Sequence, residues 1–149
     1  MQPGLTIEQA VARARFPVWV PACVPAGCEA EVAFAAAMER PPAAAHVFLH
    51  HRARDGTHGF TITESPAGRA LDPEAYGPAR PDPWQEVVRG ERMLQIREPA
   101  EHWHQAQVRL EIDGTQILIG SNDLEADSLA DVAAGLVRAP SAPPDLGAR

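Results

Sequence analysis

Two cysteines are the residues of this chain whose type and spacing most directly suggest chemistry. Cys23 and Cys28 lie in the stretch PVWVPACVPAGCEAEVAF, among three prolines and a glycine. Their separation is within the range of zinc-ligand pairs, and a closed tetrahedral site needs a second pair. His102 and His104 could supply it, because residues two apart on a strand point to the same side.

Two other interpretations of the cysteines are open. A disulfide between Cys23 and Cys28 across the turn would require an oxidising compartment. Cysteine is otherwise a small residue that is often buried. We interpret both as packing residues at a corner where the chain turns into a strand. We therefore predict no metal site, no cofactor and no catalytic residue.

The remaining histidines fall in or near one predicted hairpin. His46 and His50 share one face of a strand, His51 takes the opposite face, and His58 follows the turn. Neighbouring imidazoles could bind zinc or titrate near pH 6. Histidines of this kind more often occupy the solvent-facing side of a sheet, and this is the interpretation that we adopt.

Signatures of catalysis are missing from the sequence. It contains no G-x-S-x-G, no phosphate loop, no GxGxxG and no H-E-x-x-H. Three serines fall in a Pro-rich loop, a turn and a helix start, where hydrogen bonding to the local backbone explains them: Ser65, Ser121 and Ser128. We predict that the chain is not an enzyme. Three tryptophans could line a ligand groove or pack in the core: Trp19, Trp84 and Trp103.

Composition limits the class of protein further. The chain has 149 residues, 45% of them apolar, and a net charge of −7. These values fit one globular domain, and the acidic balance argues against binding to nucleic acid. No apolar stretch reaches the ~18 residues of a membrane helix, and the N-terminus lacks the apolar region of a signal peptide. We expect a cytoplasmic chain as written, or an extracytoplasmic one if an upstream anchor was removed.

Helix and strand signals position these residues. Thr6 and Gln9 form a capping-box pattern that predicts a helix ending before Pro17. Two Asp-Gly pairs, Asp55–Gly56 and Asp113–Gly114, each separate two alternating runs, which is a strong hairpin signal. A third strand–turn–strand is expected about Arg89–Gly90, with its register unresolved.

Two-residue turns fix the registers of the two Asp-Gly hairpins. The expected pairs are Leu49–Ile62, His51–Phe60, Val108–Ile119, Leu110–Ile117 and Ile112–Thr115. Residues 65 to 83 are rich in Pro and Gly and predict a long loop. Apolar positions from Leu129 to Val137 predict a C-terminal helix that Arg138 closes and Pro140 stops.

These elements predict an α+β fold. We expect an antiparallel β-meander of about six or seven strands, with an N-terminal and a C-terminal helix packed on one face. Residues 1–139 should form a single domain, and residues 140–149 a disordered tail.

The opening stretch also resembles a known family. Val24, Pro25, Ala26 and Gly27 are similar to the start of a bacterial domain of unknown function found at the extracytoplasmic end of anti-sigma-factor-like membrane proteins. Cys28 takes the place of that family's aromatic residue. The resemblance continues through VFLHHRARDGTHGFTITES and VVRGERMLQIRE to the predicted last helix, over about residues 7 to 138. It implies a similar fold and supplies no catalytic residues. The family's membrane-spanning segment has no counterpart in this sequence.

We therefore expect a non-enzymatic binding or regulatory module, linked to signalling or envelope-stress regulation. Its partner would be an unknown protein or small ligand, bound at the face that carries His50, Thr61 and Thr63 and at the 65–83 loop. A metal-binding protein that uses Cys and His is one alternative. A self-associating structural domain, such as a homodimer, is the other.

Overall fold

The structure is a computed structural model that describes residues 2–14, 16–22, 32–40, 43–52, 59–66, 84–99 and 105–139. Side chains are described for 6–14, 16–22, 47–51, 59–66, 84–99 and 105–139. The cysteines, His58, His102, His104, Trp103, most of the predicted 65–83 loop and the predicted tail lie outside the described residues, and so does the side chain of His46.

Two helices and ten strands make up the described chain. They are, in order, β1 (Gln2–Leu5), α1 (Ile7–Arg13), β2 (Trp19–Pro21), β3 (Val32–Arg40), β4 (Ala43–Arg52), β5 (Gly59–Pro66), β6 (Gln85–Arg89), β7 (Arg92–Arg97), β8 (Ala106–Ile112), β9 (Thr115–Ser121), α2 (Ala126–Ala134) and β10 (Leu136–Arg138). This confirms the α+β class, with more strands than expected. Ser65 and Pro66 belong to β5, so the first two residues of the predicted 65–83 loop lie in a strand instead.

Eight of the strands form one antiparallel sheet in the order β1-β3-β4-β5-β9-β8-β7-β6. The order is not a single sequential meander, because β5 pairs with β9 rather than with β6. Two consecutive meanders therefore meet at the β5–β9 pair. Strands β2 and β10 form a separate two-stranded ribbon.

The registers predicted from both Asp-Gly pairs are confirmed. Strand β4 pairs Leu49 with Ile62 and His51 with Phe60. Strands β8 and β9 pair as expected, and Ile112–Thr115 closes their turn. Asp113 and Gly114 both have positive φ, 46° and 86°, as a type I′ turn requires. The third turn consists of Gly90 and Glu91, closed by the pair Arg89–Arg92.

The alternation of side chains gives the main sheet two different faces. The core face carries the fully buried apolar residues, among them Leu49, Ile62 and Ile119, which stand side by side on β4, β5 and β9. We call the opposite side the second face. It carries the described side chains Phe48, His50, Thr61, Thr63, Ser65, Leu118, Gln116, Gln107, Arg109, Glu111, Met93, Gln95, Arg97, Glu86 and Val88.

Helix α1 begins at the predicted capping box. The Thr6 hydroxyl accepts a hydrogen bond from the Gln9 backbone N–H at 3.1 Å. The Gln9 side chain accepts one from the Thr6 N–H at 2.9 Å. These bonds satisfy two of the N–H groups that a helix start leaves without partners. Ala10 is buried, and the helix contacts β1 and β3.

Helix α2 is shorter than its apolar pattern predicts. It ends at Ala134, and Gly135 caps it by donating its backbone N–H to carbonyls of the last turn. Leu136, Val137 and Arg138 form β10 and pair with β2 instead of continuing the helix. The prediction of a helix through Val137 was wrong because strand pairing and burial of Leu136 outweigh helical periodicity there. That both helices cover one face stays a prediction.

Arginines on the core face hold α2 against the sheet. Arg89 forms ion pairs with Asp127, at 2.7 Å, and with Asp131. Arg92 donates to the carbonyl oxygens of Ala133 and Ala134, at 2.8 and 3.3 Å. The helix contacts strands β6 to β9. Neither helix of the described chain is long and apolar enough to cross a membrane.

Candidate functional site

The second face brings together the three polar residues that the sequence singled out for binding. His50 and Thr61 are paired across β4 and β5, and Thr63 is paired with Phe48 in the next row on the same face. The His50 Nδ1 atom lies 2.8 Å from the Thr61 hydroxyl oxygen. All three side chains are half-buried. Their common placement follows from the hairpin register, which the sequence predicted.

A tryptophan with two arginines forms a cluster on the same side of the sheet. Trp84 immediately precedes β6, and the guanidinium carbons of Arg97 and Arg109 each lie 4.2 Å from the centre of a Trp84 ring. The two cationic groups are therefore separated by no more than about twice that distance. The electron-rich face of an indole offsets part of the cost of holding such charges close together.

Two glutamines orient these arginines. Arg97 donates from Nε to Oε1 of Gln107, and Arg109 donates from Nε to Oε1 of Gln95, each at 2.6 Å. Each pair is a direct cross-strand neighbour of β7 and β8. The hydrogen bonds fix the guanidinium planes, and a fixed guanidinium is a good partner for carboxylate or phosphate groups.

The sequence named Trp84 as a groove candidate and missed its two arginine partners. Their positions depend on the registers of β6–β7 and β7–β8, and the pattern of the chain left the first of these unresolved. The sequence does contain a pattern that places Arg109 on the polar side of β8. Polar residues alternate along this amphipathic strand, so their side chains share one face: Gln107, Arg109 and Glu111.

A carboxyl group is buried on the core face, away from the second face. Glu64 is 0% exposed and stands in β5 opposite Val47 and Ile117. Its Oε1 accepts a hydrogen bond from the Trp19 backbone N–H at 2.7 Å. Its Oε2 has no hydrogen-bond partner among the described residues. Burial raises the pKa of Glu64 to about 8, against the opposing effect of the Trp19 hydrogen bond.

His51 is also buried, so the solvent-facing interpretation was wrong for this histidine. It is 3% exposed, and its ring stacks on Phe60 with 4.8 Å between centroids. Burial, and to a lesser degree the nearby His50, lower the pKa of His51 to about 4. A neutral imidazole stacked on an aromatic ring serves packing rather than proton transfer at neutral pH.

Ser121 is held by backbone groups, in line with the interpretation of the serines. Its hydroxyl donates to the Gly59 carbonyl at 2.6 Å and accepts from the backbone N–H groups of Asp123 and Leu124. The hydroxyl therefore ties the end of β9 to the start of β5 and to the segment before α2. This arrangement is structural.

The residues of the proposed zinc site, Cys23, Cys28, His102 and His104, lie outside the described residues. Among the residues that are described, no group of three or more His, Cys, Asp or Glu side chains could hold a metal ion. The metal-binding alternative therefore stays a prediction.

Comparison of the chain with family models, curated proteins and solved structures finds no match. The likeness to the bacterial domain of unknown function is thus a resemblance of short motifs. The fold class and the second face follow from the structure of this chain alone.

Proposed function

We propose that this chain is a non-enzymatic binding module and that its binding surface is the second face around Trp84, Arg97 and Arg109. The single observation that carries the proposal is the 4.2 Å approach of both guanidinium groups to one tryptophan ring. Tryptophan and arginine are the side chains most enriched among the energetically dominant residues of protein interfaces. The partner in this proposal is a protein.

The orientation of the arginines supports the same function. Gln95 and Gln107 each use a side-chain oxygen to hold an arginine Nε. Positioning of this kind lowers the entropy that a partner would otherwise have to remove on binding. A surface that served only solubility would gain little from arginine side chains whose guanidinium groups are held in one orientation.

The contrast between the two faces supports it further. The core face is lined by fully buried apolar residues, and its polar exceptions include Glu64 and His51. The second face carries mostly half-buried and exposed side chains, and it mixes aromatic, cationic, amide and hydroxyl groups. Enrichment in aromatic and arginine side chains, as around Trp84, is the compositional signal of protein interfaces.

A regulatory role in signalling or envelope stress is part of the proposal, and it rests on the resemblance to the anti-sigma-factor-associated domain. We also propose that α1 and α2 both cover the core face. The ion pairs of Arg89 with Asp127 and Asp131 support this for α2. The burial of Ala10 within the core cluster supports it for α1. Such an arrangement would leave binding to the second face.

The experiment is a comparative capture with purified chain as bait. Wild type, Trp84→Ala and the double variant Arg97→Gln/Arg109→Gln are immobilised at equal density and exposed to extract of the source organism. We expect a discrete protein that wild type retains and both variants lose. Identical recoveries by wild type and folded variants would refute a binding role for this cluster.

Val137→Ser is the matched control for the bait. Val137 is exposed and lies on β10, in the ribbon formed with β2 rather than in the main sheet. The control variant should retain the partner as wild type does. Circular dichroism of every variant separates loss of the surface from loss of the fold.

A further inference from the structure

The two edges of the described main sheet are built differently. Edge strand β1 contains Pro3 and Gly4, and its register against β3 is irregular. Edge strand β6 contains neither residue type and is paired with β7 at all five positions without a shift. Proline and irregular pairing are devices by which proteins prevent an edge from pairing with another strand. Strand β6 lacks both.

The geometry of the β6–β7 turn shows which backbone groups of β6 face outward. Arg89 and Arg92 close a two-residue turn, in which Gly90 has a φ of 64°. The closing pair of such a turn is hydrogen-bonded, and the pairs then alternate along an antiparallel ladder. The backbone N–H and C=O groups of Val88 and Glu86 therefore point away from β7.

Two large apolar side chains lie beside this edge. Val88 and Met93 are paired across β6 and β7 on the second face and are 63% and 57% exposed. They are the most exposed of the large hydrophobic residues recorded in the described chain. Among the described residues, an exposed apolar pair therefore borders an edge strand that has neither of these devices.

We propose that two copies of this chain associate by antiparallel pairing of β6 with β6 across a two-fold axis at Val88, which joins their main sheets. This inference goes beyond the proposed function and does not depend on it. Two-fold homodimers with self-complementary interfaces are the most common oligomers. Here each copy would supply the same edge and the same apolar pair.

The charges of the paired residues and the faces on which their side chains lie restrict the position of the two-fold axis along β6. A two-fold axis perpendicular to the sheet pairs β6 residues whose side chains lie on the same face. The two residues that meet at the axis must therefore be the same residue in both copies. An axis at Glu86 or at Arg89 would place like charges directly opposite each other, which is unfavourable. Axes at Val87 and Val88 avoid this. The Val88 axis also places the two Val88 side chains next to each other, with one Met93 flanking them on each side, and we infer that register.

The Val88 register is consistent with the charges along the rest of the strand. Val87 would stand opposite Arg89 of the second copy, and Glu86 and Gln85 would lie beside that copy's Gly90–Glu91 turn. No pair of like charges results. The outward N–H and C=O of each Val88 would bond to those of the other Val88, because the pair on the axis is hydrogen-bonded.

Charge exchange at Val88 tests both the dimer and its register. Val88→Glu and Val88→Lys are each analysed by sedimentation velocity at tens of micromolar, alone and as an equimolar mixture. We expect wild type to be a dimer, each variant alone to dimerise at least tenfold more weakly, and the mixture to recover the dimer. Recovery requires that residue 88 of one copy lies beside residue 88 of the other.

The control is Val137→Glu, which places the same charge at an exposed valine of β10 and should leave the dimer intact. A wild-type chain that is monomeric at these concentrations overturns the proposal. Unchanged dimers of Val88→Glu overturn it as well, and a mixture that stays monomeric overturns the Val88 pairing. Met93→Glu is a second variant at the same patch and should weaken the dimer if Val88→Glu fails to fold.

Discussion

The backbone N–H of Trp19 donates a hydrogen bond to the carboxyl group of Glu64 across 2.7 Å. This contact ties the β2–β10 ribbon to the middle of the main sheet. The Thr115 hydroxyl, which donates to the Pro17 carbonyl, adds a second link to the same segment. The side chains of Glu64 and Thr115 both lie on the core face, where the neighbouring positions are apolar.

Glu64→Gln should make the protein more stable at pH 8 and change little at pH 4. Burial holds the pKa of Glu64 at about 8 in the folded chain, above its usual 4.5. Between these values the unfolded chain loses the proton and the folded chain keeps it, so stability falls as pH rises. Glutamine is neutral and retains an oxygen for Trp19. Urea unfolding at pH 4, 6 and 8 should show a gain for the variant on the order of 4 kcal/mol by pH 8.

His51 should produce the opposite slope. Its pKa is lowered from 6.5 to about 4 on folding, so the unfolded chain binds the extra proton between these values and stability rises with pH. In Glu64→Gln, the free energy of unfolding should therefore rise from pH 4 to 6.5 and then level off. In wild type the effects of His51 and Glu64 should cancel between about pH 4.5 and 6.5. A wild-type curve that falls steeply over that interval would contradict the burial of His51.

Arg92→Ala should loosen the end of α2. Arg92 donates to carbonyls of the last helical turn, and its guanidinium carbon lies 5.5 Å from the centre of a Trp19 ring. Loss of hydrogen bonds from a charged donor costs about 2 kcal/mol. The stability of Arg92→Lys should lie between those of wild type and Arg92→Ala, because lysine keeps the charge and loses the planar guanidinium donors. The exposed Arg138→Ala serves as the control, and equal midpoints of thermal unfolding for the two alanine variants would contradict this role.

Ile62→Ala should be among the most destabilising single changes. Ile62 is fully buried between Leu49 and Ile119 at the seam of the two meanders. Removing its three methyl or methylene carbons leaves a cavity, and such changes cost about 3 kcal/mol. Val137→Ala, at an exposed position of β10, should cost less than about 0.5 kcal/mol. Chemical denaturation of both variants at one pH measures the difference.

The sequence was sufficient for features that depend on local chemistry. The capping box at Thr6 and the registers about Asp55–Gly56 and Asp113–Gly114 follow from a few adjacent residues, and all three were predicted. The end of α2 was not, because Leu136 fits a helical stripe and a buried strand equally well. The decisive contact is with β2, more than a hundred residues earlier in the chain.

The Trp84 cluster and the buried Glu64 depend on similarly distant contacts. Trp84 contacts Arg97 and Arg109 only because β6, β7 and β8 pair in this register, and eight residues of sequence separate β7 from β8. Glu64 stands in an alternating run where a carboxylate would be expected in solvent. Its burial depends on Trp19, 45 residues away in the sequence.

The seam between β5 and β9 has a consequence for the order in which the chain can assemble. Within the main sheet, β1, β3, β4 and β5 pair with one another, and so do β6, β7, β8 and β9, so each half can form hairpins as it leaves the ribosome. Strand β5 nevertheless has no partner on its second side until β9 has been synthesised. The ribbon of β2 and β10 closes later still, since β10 is the last described strand. A nascent chain therefore carries an incomplete sheet through most of its translation, and completion of the fold depends on its final third.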